Sequence, residues 1–203
     1  MLTEIEWLKL LCKCGVRPAT ASNWAPIFAR VIDESTFSAG RDEIDDFLGQ
    51  TLHESGMLEH LEESLNYSAQ RMTEVWPTRF PTVESAMPFA NNAPALANKV
   101  YGGRLGNHEP GDGFRYRGRG LLAVTGRDNY RHVGVALGLD LEKNPDLLAQ
   151  PEIALRSAIA WWEGKIPDGI LGDIKKVTKR VNGGTVGLAH RQELTDKARG
   201  GLA

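Results

Sequence analysis

The chain has 203 residues, of which 41% are apolar and 25% charged, and it carries a net charge of −2. That length suits one sizeable domain with a real core and is marginal for two. The charge balance excludes a dedicated nucleic-acid binder, which needs a basic field, and no apolar run reaches the length of a membrane span.

The first helix opens on a capping box, Thr3 with Glu6, and shows Ile5, Leu8 and Cys12 on one face. Acids stand where a signal peptide needs positive charge, so this segment reads as structural and not as a targeting signal. Cys12 and Cys14 would point about 200° apart on that helix and should not bridge each other. With no disulfide framework, synthesis in a reducing compartment is expected.

Ser22-Asn23 predicts a cap for a helix over Trp24–Asp33, with Ile27, Phe28, Val31 and Ile32 on one face. After a loop at Gly40, a helix is expected from Asp42 to Leu61. Its apolar side is Phe47, Leu48, Leu52, Leu58 and Leu61. Ser68 caps a short helix that must end before Pro77. Residues 77–113, rich in Pro, Asn and Gly, predict short helices and long ordered loops. Residues 152–163 form a helix apolar enough to be central. Val177–Val181 leads into the turn Asn182-Gly183-Gly184, and Leu188–Arg199 closes the chain as a helix. Alternation of period two is nearly absent. The fold class is therefore mainly α, with at most a small β element. No repeat, low-complexity tract or linker divides the chain, so residues 1–203 read as a single domain.

Charge is placed unevenly. Residues 33–63 hold ten acids and one Arg, whereas residues 104–131 hold six Arg and three acids, and residues 165–199 hold eight Lys or Arg and four acids. Such segments suit either a cleft with oppositely charged walls or solvated helix faces.

Two blocks carry candidate chemistry. In GQTLHESGMLEHLEESLNYSA (49–69), Glu54 shares its helix side with Phe47, Leu58 and Leu61. Apolar neighbours would keep its carboxyl protonated, as a general acid requires. Glu63 could serve as the partner only if the helix ends near Leu61 and turns back through Ser64-Leu65-Asn66. A continuous helix would put the two glutamates roughly 13 Å apart along the axis and on opposite faces. A turn would allow the gap of about 6.5–9.5 Å that holds a water in an inverting glycosidase. The second block, RYRGRGLLAVTGRDNY (115–130), sets Arg115, Arg117 and Arg119 among glycines, suited to sugar hydroxyls and carboxylates. Thr125 offers a hydroxyl that could position a water.

Competing motifs fail. His53-Glu54 begins a zinc-protease HExxH, but Met57 stands at the second histidine position. The five histidines (53, 60, 108, 132, 190) have no ligand spacing, so no metal and no cofactor is expected. Gly118-x-Gly120-x-x-Ala123 lacks the buried strand that a dinucleotide site needs. Neither cysteine sits in a nucleophile signature.

Taken in order, GQTLHESG, ESLNYSA, RYRGRGLLAVTGRDNY and VTKRVNGG resemble the motifs of family 19 glycoside hydrolases, most of all the short phage endolysins of that family. The resemblance spans about residues 44–199, with residues 1–40 as N-terminal helices packed on that catalytic core. It implies a lysozyme-like, two-lobed helical fold and inversion at the anomeric carbon. It also implies Glu54 as general acid, Glu63 as general base and Thr125 as the hydroxyl that helps hold the water. Tyr67, Arg117, Arg119, Asn182 and Arg191 match substrate-binding or supporting positions, with Tyr130 among the scaffold. Ala123 stands where the family often has Gln, so subsite details differ.

The likeness to phage enzymes, together with the missing leader, implies an endolysin. It would accumulate in the host bacterial cytoplasm and reach the wall through separately made membrane holes. Its partner would be peptidoglycan, cut at a β-1,4 bond between amino sugars. No nucleic acid or stable membrane insertion is expected, and a monomer is. The alternatives are a chitinase, a lytic transglycosylase that needs no base, and a wall-binding module that has lost turnover.

Overall fold

The computed structural model describes residues 2–202. Among these, α-helices follow in chain order as α1 (Glu4–Cys14), α2 (Pro18–Val31), α3 (Ile44–Glu54), α4 (Ala69–Val75), α5 (Val83–Ala86) and α6 (Ala93–Tyr101). After them come α7 (Asp112–Arg115), α8 (Arg127–Leu137), α9 (Pro151–Lys165), α10 (Ile174–Asn182) and α11 (Leu188–Leu202). Short 3-10 turns lie between several of them. Extended pairing among the described residues amounts to two isolated antiparallel bridges, Glu62 with Arg119 and Arg119 with Val124. The fold is mainly α, as expected. None of these helices is long and apolar enough to cross a membrane.

The chain divides into two compact units. One comprises residues up to Leu61, Gly120–Leu122 and the chain from Leu148; the other comprises Glu62–Arg119 and Ala123–Leu147.

In the first unit, α1, α2, α3, α9, α10 and α11 share a core. The Thr3–Glu6 box forms in both directions: Glu6 N–H donates to Thr3 Oγ1, and Thr3 N–H to Glu6 Oε2 at 2.7 Å. The buried face of α1 is not the expected one. Trp7, Leu10, Leu11 and Cys14 are inside, while Ile5 is 64% exposed and Leu8 and Cys12 are half-buried. Trp7 has the largest apolar surface in the helix and packs on Phe28, with ring centroids 4.8 Å apart. Burying it decides which stripe turns inward.

Both cysteines are free thiols, and burial pushes Cys14 up to about 11. Helix α2 starts at Pro18, six residues before the expected Trp24. A proline at the first helical position loses nothing by lacking an N–H, so Ser22 and Asn23 fall inside the helix. Helix α9 is central, as expected. Its Trp162 is fully buried, edge-on to Phe47 at 5.4 Å, and donates from Nε1 to Glu43 Oε1 at 2.5 Å.

Buried acids at the start of α3 are a cost to this core. Asp46 is fully buried. Its Oδ2 accepts from Gly172 N–H at 2.6 Å, and its Oδ1 has no partner. Burial raises its pKa, reinforced by the charges of Asp45 and Glu43 and opposed by the Gly172 hydrogen bond and Arg199. A raised carboxyl loses stability as pH climbs above its unfolded value of about 4. Asp46→Asn should therefore raise the melting temperature at pH 7, by about 2–4 °C per kcal/mol gained. That gain should vanish below about pH 4. Calorimetry at the two pH values checks this, and an equal shift at both would show that ionisation is not the cause.

In the second unit, a smaller core gathers Leu65, Met72, Phe80, Ala86, Leu96, Ala97 and Val100. Ser68 caps α4 through Arg71 N–H, as expected, and the helix stops before Pro77. Residue 113 must be glycine, because a Cβ there would come 2.6 Å from Ala97 O and 2.7 Å from Asn98 Cα of α6. Helix α8, which the sequence pattern did not predict, follows Gly126 and ends on Gly138 in the left-handed region.

Candidate active site

Glu54 is the last residue of α3 rather than the middle of a longer helix. The helix stops seven residues before the expected Leu61. Ser55 ends it, its Oγ donating to Thr51 O at 2.7 Å and accepting from Leu58 N–H at 3.0 Å. Gly56, Met57 and Leu58 then adopt φ of 55°, 65° and 68°. Two of these are not glycine, and each costs about 1–2 kcal/mol in the left-handed region.

The end of the helix changes the surroundings of Glu54. Leu58 is buried, but it no longer lies one turn along the same helix. The apolar environment expected around this carboxyl is replaced by a cation. Arg191 of α11 is fully buried and donates from its guanidinium to Glu54 Oε1, while the Glu54 side chain stays 30% exposed. Arg191 also donates to Gln50 Oε1 at 2.7 Å and to Val186 O at 3.3 Å, and Gln50 Nε2 donates to Thr178 Oγ1 of α10 at 3.3 Å. A polar chain thus runs Thr178–Gln50–Arg191–Glu54 through three helices. Arg191, expected to meet the sugar, has its donors committed to the protein and positions Glu54.

A second contact runs beside this one. His53 and His190, the residues next to Glu54 and Arg191, face each other Nδ1 to Nδ1 at 2.9 Å, so one proton is shared between them. Burial lowers the His53 pKa, as do the Arg191 and His190 charges, while Glu54 opposes them. Gly187 makes room for this pair. Its φ is +73°, and a Cβ there would come 2.2 Å from His53 Cε1. Asn182 ends α10 before Gly183 at φ +77°, and it is exposed. Among the described residues, no group of three or more His, Cys, Asp or Glu could hold a metal ion.

Glu63 belongs to the second unit and is held by neutral donors. Its N–H donates to Gly118 O at 2.9 Å, and Gly118 N–H donates back to Glu63 Oε1 at 2.5 Å. Tyr101, the last residue of α6, donates its hydroxyl to Glu63 Oε2 at 2.7 Å. Burial, with the Glu63 charge beside it, pushes the Tyr101 phenol well above its ordinary value, so it remains a donor. Thr125 joins this group. A Cβ on residue 118 would come 3.2 Å from Thr125 Oγ1 and 3.3 Å from Glu63 Oε1. Glycine at 118 therefore lets the carboxylate, the hydroxyl and the backbone converge.

The arginines of RYRGRG hold this loop in place. Arg117 grips both oxygens of Glu62 at 2.8 Å and lies over the Phe114 ring at 4.2 Å. Arg119 is 1% exposed and donates to Glu62, to Arg115 O, to Tyr130 Oη at 2.9 Å and to Asp146 at 2.6 Å. Expected as a substrate contact, it is a buried scaffold residue, and Arg117 is largely committed in the same way. Tyr130 is buried and donates to Arg117 O at 2.6 Å. Tyr67 packs on Trp76 with ring centroids 5.1 Å apart.

The sequence reading missed Tyr101, Gln50 and His190. Gln50 was accessible, since it lies one turn before Glu54 on the same helix face. Nothing in VYGGR singles out Tyr101.

The family model described as chitinase class I matches residues 89–168, a range that holds Thr125 and the RYRGRG arginines but neither glutamate. A glycosyl hydrolase family 19 domain-containing protein of Haemophilus influenzae is 36% identical over 151 residues, covering 73% of this chain and 74% of that protein. An inactive endochitinase of Arabidopsis thaliana is 30% identical over 105 residues, and the match spans 51% of this chain but only 38% of that relative. The crystal structure of chitinase C from Streptomyces griseus superposes with a TM-score of 0.57 at 17% identity, covering 98% of this chain and 91% of that one, which shows a shared fold. The chain belongs to glycosyl hydrolase family 19 and is a glycoside hydrolase.

Proposed function

We propose that this glycosidase is an endolysin-type muramidase, cutting β-1,4 bonds between the amino sugars of peptidoglycan with inversion. The observation that carries the reading is the cradle at Gly118, where Glu63 is oriented by two uncharged donors with Thr125 beside it. A base must keep its negative charge and a free lone pair while being held still, and uncharged donors allow both.

In this mechanism Glu54 gives its proton to the leaving glycosidic oxygen as the bond to the anomeric carbon breaks. Glu63 takes a proton from a water that Thr125 helps hold, and the hydroxide forms the new bond on the opposite face. Glu54 is left ionised, and the Arg191 guanidinium stabilises that product form. Solvent then takes the proton from Glu63 and supplies one to Glu54, which restores both carboxyls. Asn182, with its side chain in solvent, is free to meet a sugar. Synthesis in the host cytoplasm and release to the wall belong to the same reading.

Two features favour peptidoglycan. The ordered motifs resemble those of short phage endolysins. In addition, Lys175 and Lys179 are exposed on α10, respectively two turns and one turn before Asn182 on the same stripe. Peptidoglycan stem peptides carry carboxylates, and chitin carries none. Lys175→Glu with Lys179→Glu should slow release from peptidoglycan about tenfold at low salt, with the gap closing near 1 M, where the screening length is about 3 Å. A loss that ignores salt would deny the lysines this role.

The second reading, hydrolysis of chitin, is favoured by the family model matched at residues 89–168, which is described as chitinase class I. Incubating the protein with purified peptidoglycan and, separately, with chitin tests the two. Soluble fragments from chitin alone would replace the first reading with the second.

A further inference from the structure

We infer that Tyr101 is the positioning residue of the general base: its phenol fixes the Glu63 carboxylate plane and leaves the remaining lone pairs toward the water. This rests on Glu63 being the base. Tyr101 lies 38 residues from Glu63 in the chain and outside every motif that identified the family.

Three observations converge on it. First, the donor is placed from both ends. The Tyr101 hydroxyl reaches Glu63 Oε2 at 2.7 Å, and the Tyr101 carbonyl accepts from Asn107 Nδ2 at 3.1 Å. Helix α6 beneath it is anchored by buried Leu96, Ala97 and Val100. Second, the donor is matched. Gly118 N–H takes Oε1 and Tyr101 takes Oε2, so each oxygen keeps one lone pair and the carboxylate cannot rotate without losing a bond. Third, the donor is uncharged. Arg117 and Arg119 are both spent on the neighbouring Glu62, so the cations of this loop are directed to the adjacent carboxylate and not to Glu63. A phenol orients a base without neutralising it, as a guanidinium would.

Tyr101→Phe removes one oxygen atom and keeps the ring. On solubilised peptidoglycan, or on an N-acetylglucosamine oligosaccharide if that is what the parent protein cuts, kcat should fall about 10- to 100-fold. KM should stay within about twofold, because binding is untouched. The acidic limb of the kcat profile should move to higher pH, since a lost donor disfavours the charged carboxylate.

A double-mutant cycle separates positioning from general structure. In a Glu63→Gln background, Tyr101→Phe should cost less than about twofold more. The inference is overturned by a Tyr101→Phe rate within twofold of the parent protein, or by a loss that is pH-independent and equal in both backgrounds. If Glu63→Gln keeps the parental rate, the base assignment falls and takes this inference with it. If Glu63→Gln is inactive and Tyr101→Phe is not, only the role of Tyr101 falls. Melting curves of both variants confirm the fold.

Discussion

Glu54→Gln should lower turnover by at least about a thousandfold while leaving the protein folded, because the amide has no proton to deliver to the leaving oxygen. Gln nearly matches Glu in volume, and its carbonyl can still accept from Arg191, so the Thr178–Gln50–Arg191 chain keeps its geometry. The melting temperature should change by only a few degrees. Rates of fragment release and melting curves, taken together, check this. Parental turnover would remove Glu54 from the chemistry, and a collapsed melting curve would show that its role is structural.

Arg191→Met should have the largest effect on stability. It removes a fully buried cation that bonds Glu54, Gln50 and Val186 O, leaving the Gln50 oxygen buried without a donor. Removing one partner of a buried pair costs about 3–5 kcal/mol when both are inside. Glu54 is partly exposed and water can reach it, so about 2–3 kcal/mol is expected here. For a protein of this size that lowers the melting temperature by about 4–12 °C. Arg191→Lys should recover little, because an ammonium cannot span the same three acceptors with a planar fork. Chemical unfolding of the three proteins measures it. A stability equal to that of the parent protein would mean the polar chain is incidental.

The sequence was readable where local chemistry decides structure. Thr3 with Glu6 and Ser68 start helices by side-chain hydrogen bonds, and the left-handed Gly183 after Asn182 ends one, each where expected. It was misleading where tertiary packing decides. The end of α3 rests on the Ser55 hydroxyl and on Met57 and Leu58 in the left-handed region. Gly56 offers a left-handed stop just past Ser55, but Met57, Leu58, Glu59 and Leu61 favour continuing a helix and keep the apolar period, so the pattern reads through it. The early stop moved Glu54 from an apolar mid-helix position to a helix end beside a buried guanidinium. In α1, the competing stripes Ile5–Leu8–Cys12 and Trp7–Leu10–Leu11–Cys14 are both periodic, and only the packing of Trp7 on Phe28 chooses between them. The arginines of RYRGRG were read as ligand contacts from their charge. Their acceptors, Glu62, Asp146 and Tyr130 Oη, lie up to 57 residues away in the chain, beyond what spacing can reveal. Residue types thus marked the segments rich in charged and polar side chains, while their division between buried scaffold and exposed positions required coordinates.

The most direct test of the account is mass spectrometry of fragments released from purified peptidoglycan by the parent protein and by Glu54→Gln. Disaccharide-peptides ending in a reducing N-acetylmuramic acid, present with the parent protein and absent with the variant, are the expected result. Anhydro-muramic ends, or equal release by the variant, would contradict a hydrolytic mechanism that runs through Glu54.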